Sequence, residues 1–142
     1  MQQDISMLNQ IRQNAQMGQL GINAVLPGAH QAAFAEALKK QYREYDRIHT
    51  DADRLLRLHR GTAEDLPLMA KAGARMSAYM KRKQDPSISK IAEMMIQGNT
   101  MGVVKSMRAQ RSLNVTDPQI TALSQKRLQT EQNNIDAMKR YL

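Results

Sequence analysis

The 142-residue chain has no cysteine, no tryptophan, one phenylalanine and four tyrosines. Without cysteine there is no disulfide framework, thiolate zinc site or cysteine nucleophile. So few aromatic and β-branched residues argue against an all-β sandwich. No apolar run approaches the roughly 20 residues that a membrane span needs. The N-terminal Met1-Gln2-Gln3-Asp4 lacks the basic region and apolar stretch of a secretory signal. A soluble, cytoplasmic protein without membrane contact is expected. Proline and glycine number only four and seven, and they cluster at apparent helix boundaries. No low-complexity tract or clean repeat is present.

What is there is apolar and basic. Apolar residues make up 42% of the chain and include 11 methionines. Lysine and arginine total 21 against 13 aspartates and glutamates, a formal charge of +8. Such an excess reads as a solvated surface or as attraction to polyanions.

Apolar spacing predicts a single all-α domain over residues 1–142. A first helix over 5–26 carries Ile5, Leu8, Ile11, Ala15, Ile22 and Val25, with Asp4 as its expected N-cap. Pro27-Gly28 ends it. A second helix over 29–60 carries Phe34, Leu38, Gln41, Tyr45, Ile48, Ala52 and Leu55 at alternating steps of four and three. That is the seam of a long bundled helix, and Gly61 is its expected C-cap. A shorter helix follows with Met69, Gly73, Met76 and Met80 on one face, ending in Lys81-Arg82-Lys83 and Asp85-Pro86. Ser87 is placed to cap a helix running to about Arg111, with Ile88, Ile91, Met95, Gly98 and Gly102 sharing a face. Asp117-Pro118 opens the last helix. Its expected inner stripe is Ile120, Leu123, Leu128, Glu131, Ile135, Met138 and Leu142, and it is expected to reach about Tyr141.

The connections set the topology. Two short loops join the first pair and the last pair, while about 25 residues separate the pairs. Two αα-hairpins with one long crossover containing a short helix is the layout of a ferritin-like four-helix bundle. A segment-swapped or extended second helix is the alternative.

The stretch Met95-Ile96-Gln97-Gly98-Asn99-Thr100-Met101-Gly102-Val103-Val104 resembles the Met-Ile-x-His-His-Gln-x-Ala-Val signature of a bacterial ferritin-like domain of unknown function. The segment from Asp117-Pro118 through Gln132, Ile135, Met138 and Leu142 resembles the last helix of that family. The likeness covers about residues 94–142. It implies the ferritin-like fold. The histidine pair stands here as Gly98 and Asn99, and Asn134 occupies an acidic position, so the ligands that a metal function would use are replaced.

Motif chemistry narrows the function further. A carboxylate-bridged di-iron bundle needs Glu-x-x-His on two helices. The residues three after Glu36, Glu44, Glu64, Glu93 and Glu131 are Lys39, Arg47, Pro67, Ile96 and Asn134. Asp46 and His49 are the nearest imitation and read as an exposed helical pair. His49 and His59 lie about 80° out of phase, and His30 sits near a turn; all three are expected at the surface. No phosphate-cradling glycine loop, nucleophile elbow or HExxH motif occurs. No catalytic residue, metal ligand or cofactor is assigned. Methionine sulfur suits Cu(I), but Met76, Met80, Met95 and Met138 fall at core spacing, where flexible methionine fills gaps.

Two groups of residues remain as candidates. Gly98 and Gly102, one turn apart, with Gly18 and Gly21 as a facing surface, mark close helix packing or a small cleft. Glu131, on or beside the inner stripe, needs a partner from a neighbouring helix if buried, or marks a polar site in the bundle centre. Arg43, Arg47 and Arg54 on the second helix, with Lys105, Arg108 and Arg111 on the helix before the last, are the candidate polyanion contacts. No reading module for bases is recognisable, so any nucleic-acid binding would be nonspecific.

The expected function is therefore a non-enzymatic, ferritin-like structural or protein-interaction module without a di-iron site, forming a homo-oligomer or binding a protein partner. A basic polyanion binder and a bundle holding a small ligand in its interior are the alternatives.

Overall fold

Helix ends in this chain are set by short polar side chains and by proline. The computed structural model describes residues 1–68, 70, 71, 73, 83 and 87–142. Four long helices are described: α1 (Gln2–Val25), α2 (Ala32–Leu58), α3 (Ile88–Ser112) and α4 (Pro118–Lys139). No strand occurs among the described residues. Ser87 caps α3 by accepting from the Lys90 amide at 3.1 Å, and Asp117 caps α4 by accepting from the Gln119 amide at 2.8 Å. In each case a short acceptor side chain serves an amide of the first turn that lacks a helical partner.

The other boundaries depart from expectation for identifiable reasons. Asp4 is not the N-cap of α1. It lies inside the first turn, buried, and its carboxylate accepts from the Thr116 amide at 2.9 Å and the Thr116 hydroxyl at 3.0 Å. Leu26–Gly28 adds a 3-10 turn, and α2 begins at Ala32 rather than 29 because Gln31 is extended. At its other end α2 stops at Leu58, and the left-handed residue is Arg60 (φ 55°) rather than Gly61. Gly61 instead gives room: a Cβ there would lie 3.0 Å from Ile5. The short helix expected around Met69, Met76 and Met80 lies mostly outside the described residues.

Helix α1 packs chiefly along α2, and α3 chiefly along α4. The pairs meet through lesser contacts of α1 with α3 and of α2 with α4, while α2 and α3 scarcely touch. At one end Asp4 holds Thr116, and His59 Nε2 lies 2.7 Å from the Asp117 carboxylate. At the other end the rings of Phe34 and Tyr141 meet edge to face, with centroids 4.8 Å apart. These ties make α2 antiparallel to α4 and parallel to α3. The segment following α2 is strapped to α1: Asn9 donates to the Thr62 carbonyl and accepts from the Glu64 amide, at 2.9 and 2.8 Å.

The α2 seam from Phe34 to Leu55 is buried at every expected position, including Gln41. The inner stripe of α4 differs. Ile120, Leu123, Glu131 and Met138 face the core, but so do Ser124, Arg127, Thr130 and Asn134. Leu128 and Ile135 are only half-buried, and Leu142 is 63% exposed beyond the helix end. On α3, Asn99 rather than Gly98 faces inward. Both shifts have one cause: the inward arc of each helix carries polar residues in the middle of the bundle, where an apolar pattern does not flag them.

Candidate functional site

Midway along the bundle, each helix sends a polar side chain inward: Asn14 from α1, Tyr45 from α2, Asn99 from α3 and Glu131 from α4. The Asn14 amide donates to Glu131 Oε1 at 2.8 Å. The Tyr45 hydroxyl lies 2.9 Å from Glu131 Oε2 and 2.8 Å from Asn99 Oδ1. Glu131 and Asn99 are each 2% exposed. One hydroxyl proton cannot serve two acceptors. The Tyr45 proton therefore serves one of the two at a time. Burial, opposed by the bonds from Tyr45 and Asn14, pushes the Glu131 carboxyl up to about 7. Burial and the neighbouring Glu131 carboxylate drive the Tyr45 phenol well above its ordinary value.

Arg127 lies one turn before Glu131 and is wholly buried. None of its three guanidinium nitrogens has a hydrogen-bond partner among the described residues. Desolvation pulls it down to about 10, with Glu131 acting in the other direction, so it is charged at neutral pH. A buried guanidinium without hydrogen bonds is costly. Sequence reasoning missed Arg127, because arginine in a helix reads as surface. Its spacing of four from both Leu123 and Glu131 was the available signal.

A cavity of about 100 Å³ opens beside this centre, lined by Asn14, Tyr45, Asn99 and Glu131, by Gly18, Gly21 and Gly98, and by Met17, Met94 and Met95. The four candidate glycines divide into two kinds. At Gly18 a Cβ would lie 2.6 Å from the Tyr45 ring, and at Gly102 it would lie 2.6 Å from Glu131 Oε1. At Gly21 and Gly98 it would meet nothing within 4 Å among the described residues. Gly18 and Gly102 thus admit the Tyr45 and Glu131 side chains, whereas Gly21 and Gly98 border the cavity. The structure brings Gly18, Gly21, Gly98 and Glu131 together around one cavity, with Gly102 behind the carboxyl.

The basic candidates form no single patch. Arg43, Arg47 and Arg54 are exposed on α2, and Lys105, Arg108 and Arg111 are exposed on α3. Because α2 and α3 scarcely touch and belong to different pairs, the two sets look outward from opposite corners. On α3 the cations interleave with exposed apolar residues: Met101 is 60% exposed, Val104 41% and Met107 55%. At 3.6 residues per turn all six side chains fall within an arc of about 160°.

The histidines are dispersed. His30 is exposed. His49 Nδ1 lies 3.4 Å from Asp53, and His59 joins the Asp117 cap. Asp46 accepts from Gln19 at 3.4 Å rather than meeting His49. No cluster of three His, Asp or Glu side chains suited to a metal occurs among the described residues. No described helix is long and apolar enough to cross a membrane. Comparison with family models, curated proteins and solved structures finds no match.

Proposed function

We propose that the chain is a non-enzymatic bundle of ferritin-like layout, two helical hairpins joined by a long crossover, which works as a protein-interaction module. The observation that carries this reading is the outer face of α3. There Met101, Val104 and Met107 stand in solvent among Lys105, Arg108 and Arg111. Exposed apolar side chains contiguous with charges of one sign favour a partner surface. No acidic residue lies between 94 and 112, so the complementary surface is acidic and apolar, such as an amphipathic helix of another protein. A second copy docked face to face would oppose three cations with three cations.

The test is fluorescence anisotropy with a labelled acidic amphipathic helical peptide, beside a DNA duplex of equal charge and light scattering of the protein alone. Peptide binding that weakens about tenfold or more in the Met101→Ser, Val104→Ser, Met107→Ser variant is expected. Duplex binding that is indifferent to those substitutions, with no peptide binding, would replace this reading with the polyanion one. Concentration-dependent dimers lost in the same variant would make the partner another copy.

A further inference from the structure

Positive charge and an accessible aromatic ring meet in a groove between α1 and α2, apart from the α3 outer face. Two neighbouring hollows of about 270 and 210 Å³ form it. The first is lined by Lys39, Tyr42 and Arg43 of α2 with Asn23 and Leu26. The second shares Tyr42 and Asn23 and adds Gln16, Gln19 and Lys71. Helical spacing explains the grouping. Lys39, Tyr42 and Arg43 stand at i, i+3 and i+4, and Gln16, Gln19 and Asn23 at i, i+3 and i+7, so each set shares one face of its helix. Both hollows are shallow and open to solvent.

Among the described aromatic rings, Phe34 and Tyr45 are buried, and Tyr141 packs against Phe34. Tyr42 is half-buried, rests against the core and lines both hollows.

The described lining of the groove includes three cations and no carboxylate. The acids around it are placed otherwise. Asp65 accepts from Arg12 at 2.7 Å and from Gln16 at 3.2 Å, and Asp46 accepts from Gln19 at 3.4 Å. Glu44 lies in the field of Lys40, Arg43, Arg47 and Lys126. Glu36 meets Lys39 at 3.5 Å, but both side chains are more than half exposed, and an ion pair of that kind yields readily to a competing anion. By contrast, the groove of about 360 Å³ beside the α3–α4 loop has no charged side chain in its described lining.

The combination selects the occupant. Phosphate matches Lys39 and Arg43, and a planar base matches the Tyr42 ring, whichever base it is. The amides of Gln19 and Asn23 carry donors and acceptors for a base edge. A polyanion without bases would use the cations alone. A shallow, open groove suits a strand lying along it, whereas a free nucleotide is held by a pocket that buries most of its surface.

We infer that the Tyr42 groove binds single-stranded nucleic acid, with a base stacked on the Tyr42 ring and an adjoining phosphate held by Lys39 and Arg43.

The experiment is fluorescence anisotropy of the full chain with a labelled oligothymidylate, beside an abasic strand of equal length and charge, across a salt series. The oligothymidylate should bind at least about fivefold more tightly than the abasic strand. Tyr42→Leu keeps an apolar side chain against the core; with the fold verified by circular dichroism, it should reduce that preference below about twofold. The double variant Lys39→Gln, Arg43→Gln should weaken binding of both strands and flatten the slope of log affinity against log salt by about 1.4. Equal binding of the two strands by the wild type would overturn the proposal without recourse to any variant. A preference retained in folded Tyr42→Leu, or a salt slope unchanged in the double variant, would also overturn it. So would displacement of the strand by an equal concentration of thymidine monophosphate, which would make the occupant a free nucleotide. None of these readouts depends on Met101, Val104 or Met107, so the α3 reading stands or falls separately.

Discussion

Gly102 stands so close to Glu131 that a methyl group on its α-carbon would sit 2.6 Å from Oε1. The carboxyl is held there by Asn14 and Tyr45 and has no slack to move without losing them. Gly18 stands in the same relation to the Tyr45 ring. Alanine at either position should destabilise the bundle by about 1–3 kcal/mol through overpacking. Alanine at Gly21 or Gly98 should stabilise it by about 0.5–1 kcal/mol through helix propensity. Chemical denaturation of the four single variants checks this, and the opposite signs are the expected outcome.

The buried carboxyl sets a pH dependence. Its pKa is raised to about 7 from an ordinary 4.5. Between those values the native state keeps a proton that the unfolded chain has released. The unfolded state then binds fewer protons, so this group's contribution falls as pH rises through the window. The change amounts to about 3 kcal/mol. Glu131→Gln keeps the donor and acceptor pattern of the protonated acid and lacks the titration. Its stability relative to the wild type should increase from pH 4.5 to pH 8, measured by urea unfolding at each pH.

Arg127 makes a paired prediction. A methionine of similar length in its place removes a desolvated, unbonded guanidinium. At pH 5, where Glu131 is protonated, Arg127→Met should stabilise by about 1–4 kcal/mol. At pH 8 the gain should shrink, because ionised Glu131 loses the buried cation beside it. Thermal unfolding at the two pH values reads this difference.

Tyr45→Phe deletes the hydroxyl between Glu131 and Asn99 while keeping the ring against Gly18. It removes the one donor that Glu131 and Asn99 share and should cost about 1–3 kcal/mol, read by the same denaturation.

Much of the helical framework was legible in the sequence. Ser87 and Asp117-Pro118 announced their caps, and the seam from Phe34 to Leu55 announced the buried face of α2. These signals are local, arising from one turn or one helix. What was not legible depends on the other helices. Asp4 looks like a cap until Thr116 is placed beside it. Leu128 and Ile135 look like core until Arg127 and Asn134 are seen facing inward. Glu131 was legible as a carboxylate near the inner stripe, and the glycines as small residues on an inward or facing surface. Which glycine admits a side chain and which borders a cavity is decided by Tyr45 and Glu131 on other helices. Lys105, Arg108 and Arg111 were legible as basic, whereas their separation from Arg43, Arg47 and Arg54 follows from the placing of α2 and α3 at opposite corners.

The central feature of the bundle is a carboxyl in its middle, Glu131, held by Tyr45 and Asn14 and half protonated near neutrality. A carbon-detected NMR titration of the Glu131 side chain measures this directly. The predicted midpoint is about 7, moving upward in Tyr45→Phe, because the Tyr45 bond favours the ionised form. A midpoint at the ordinary 4.5, unmoved by that substitution, would contradict it.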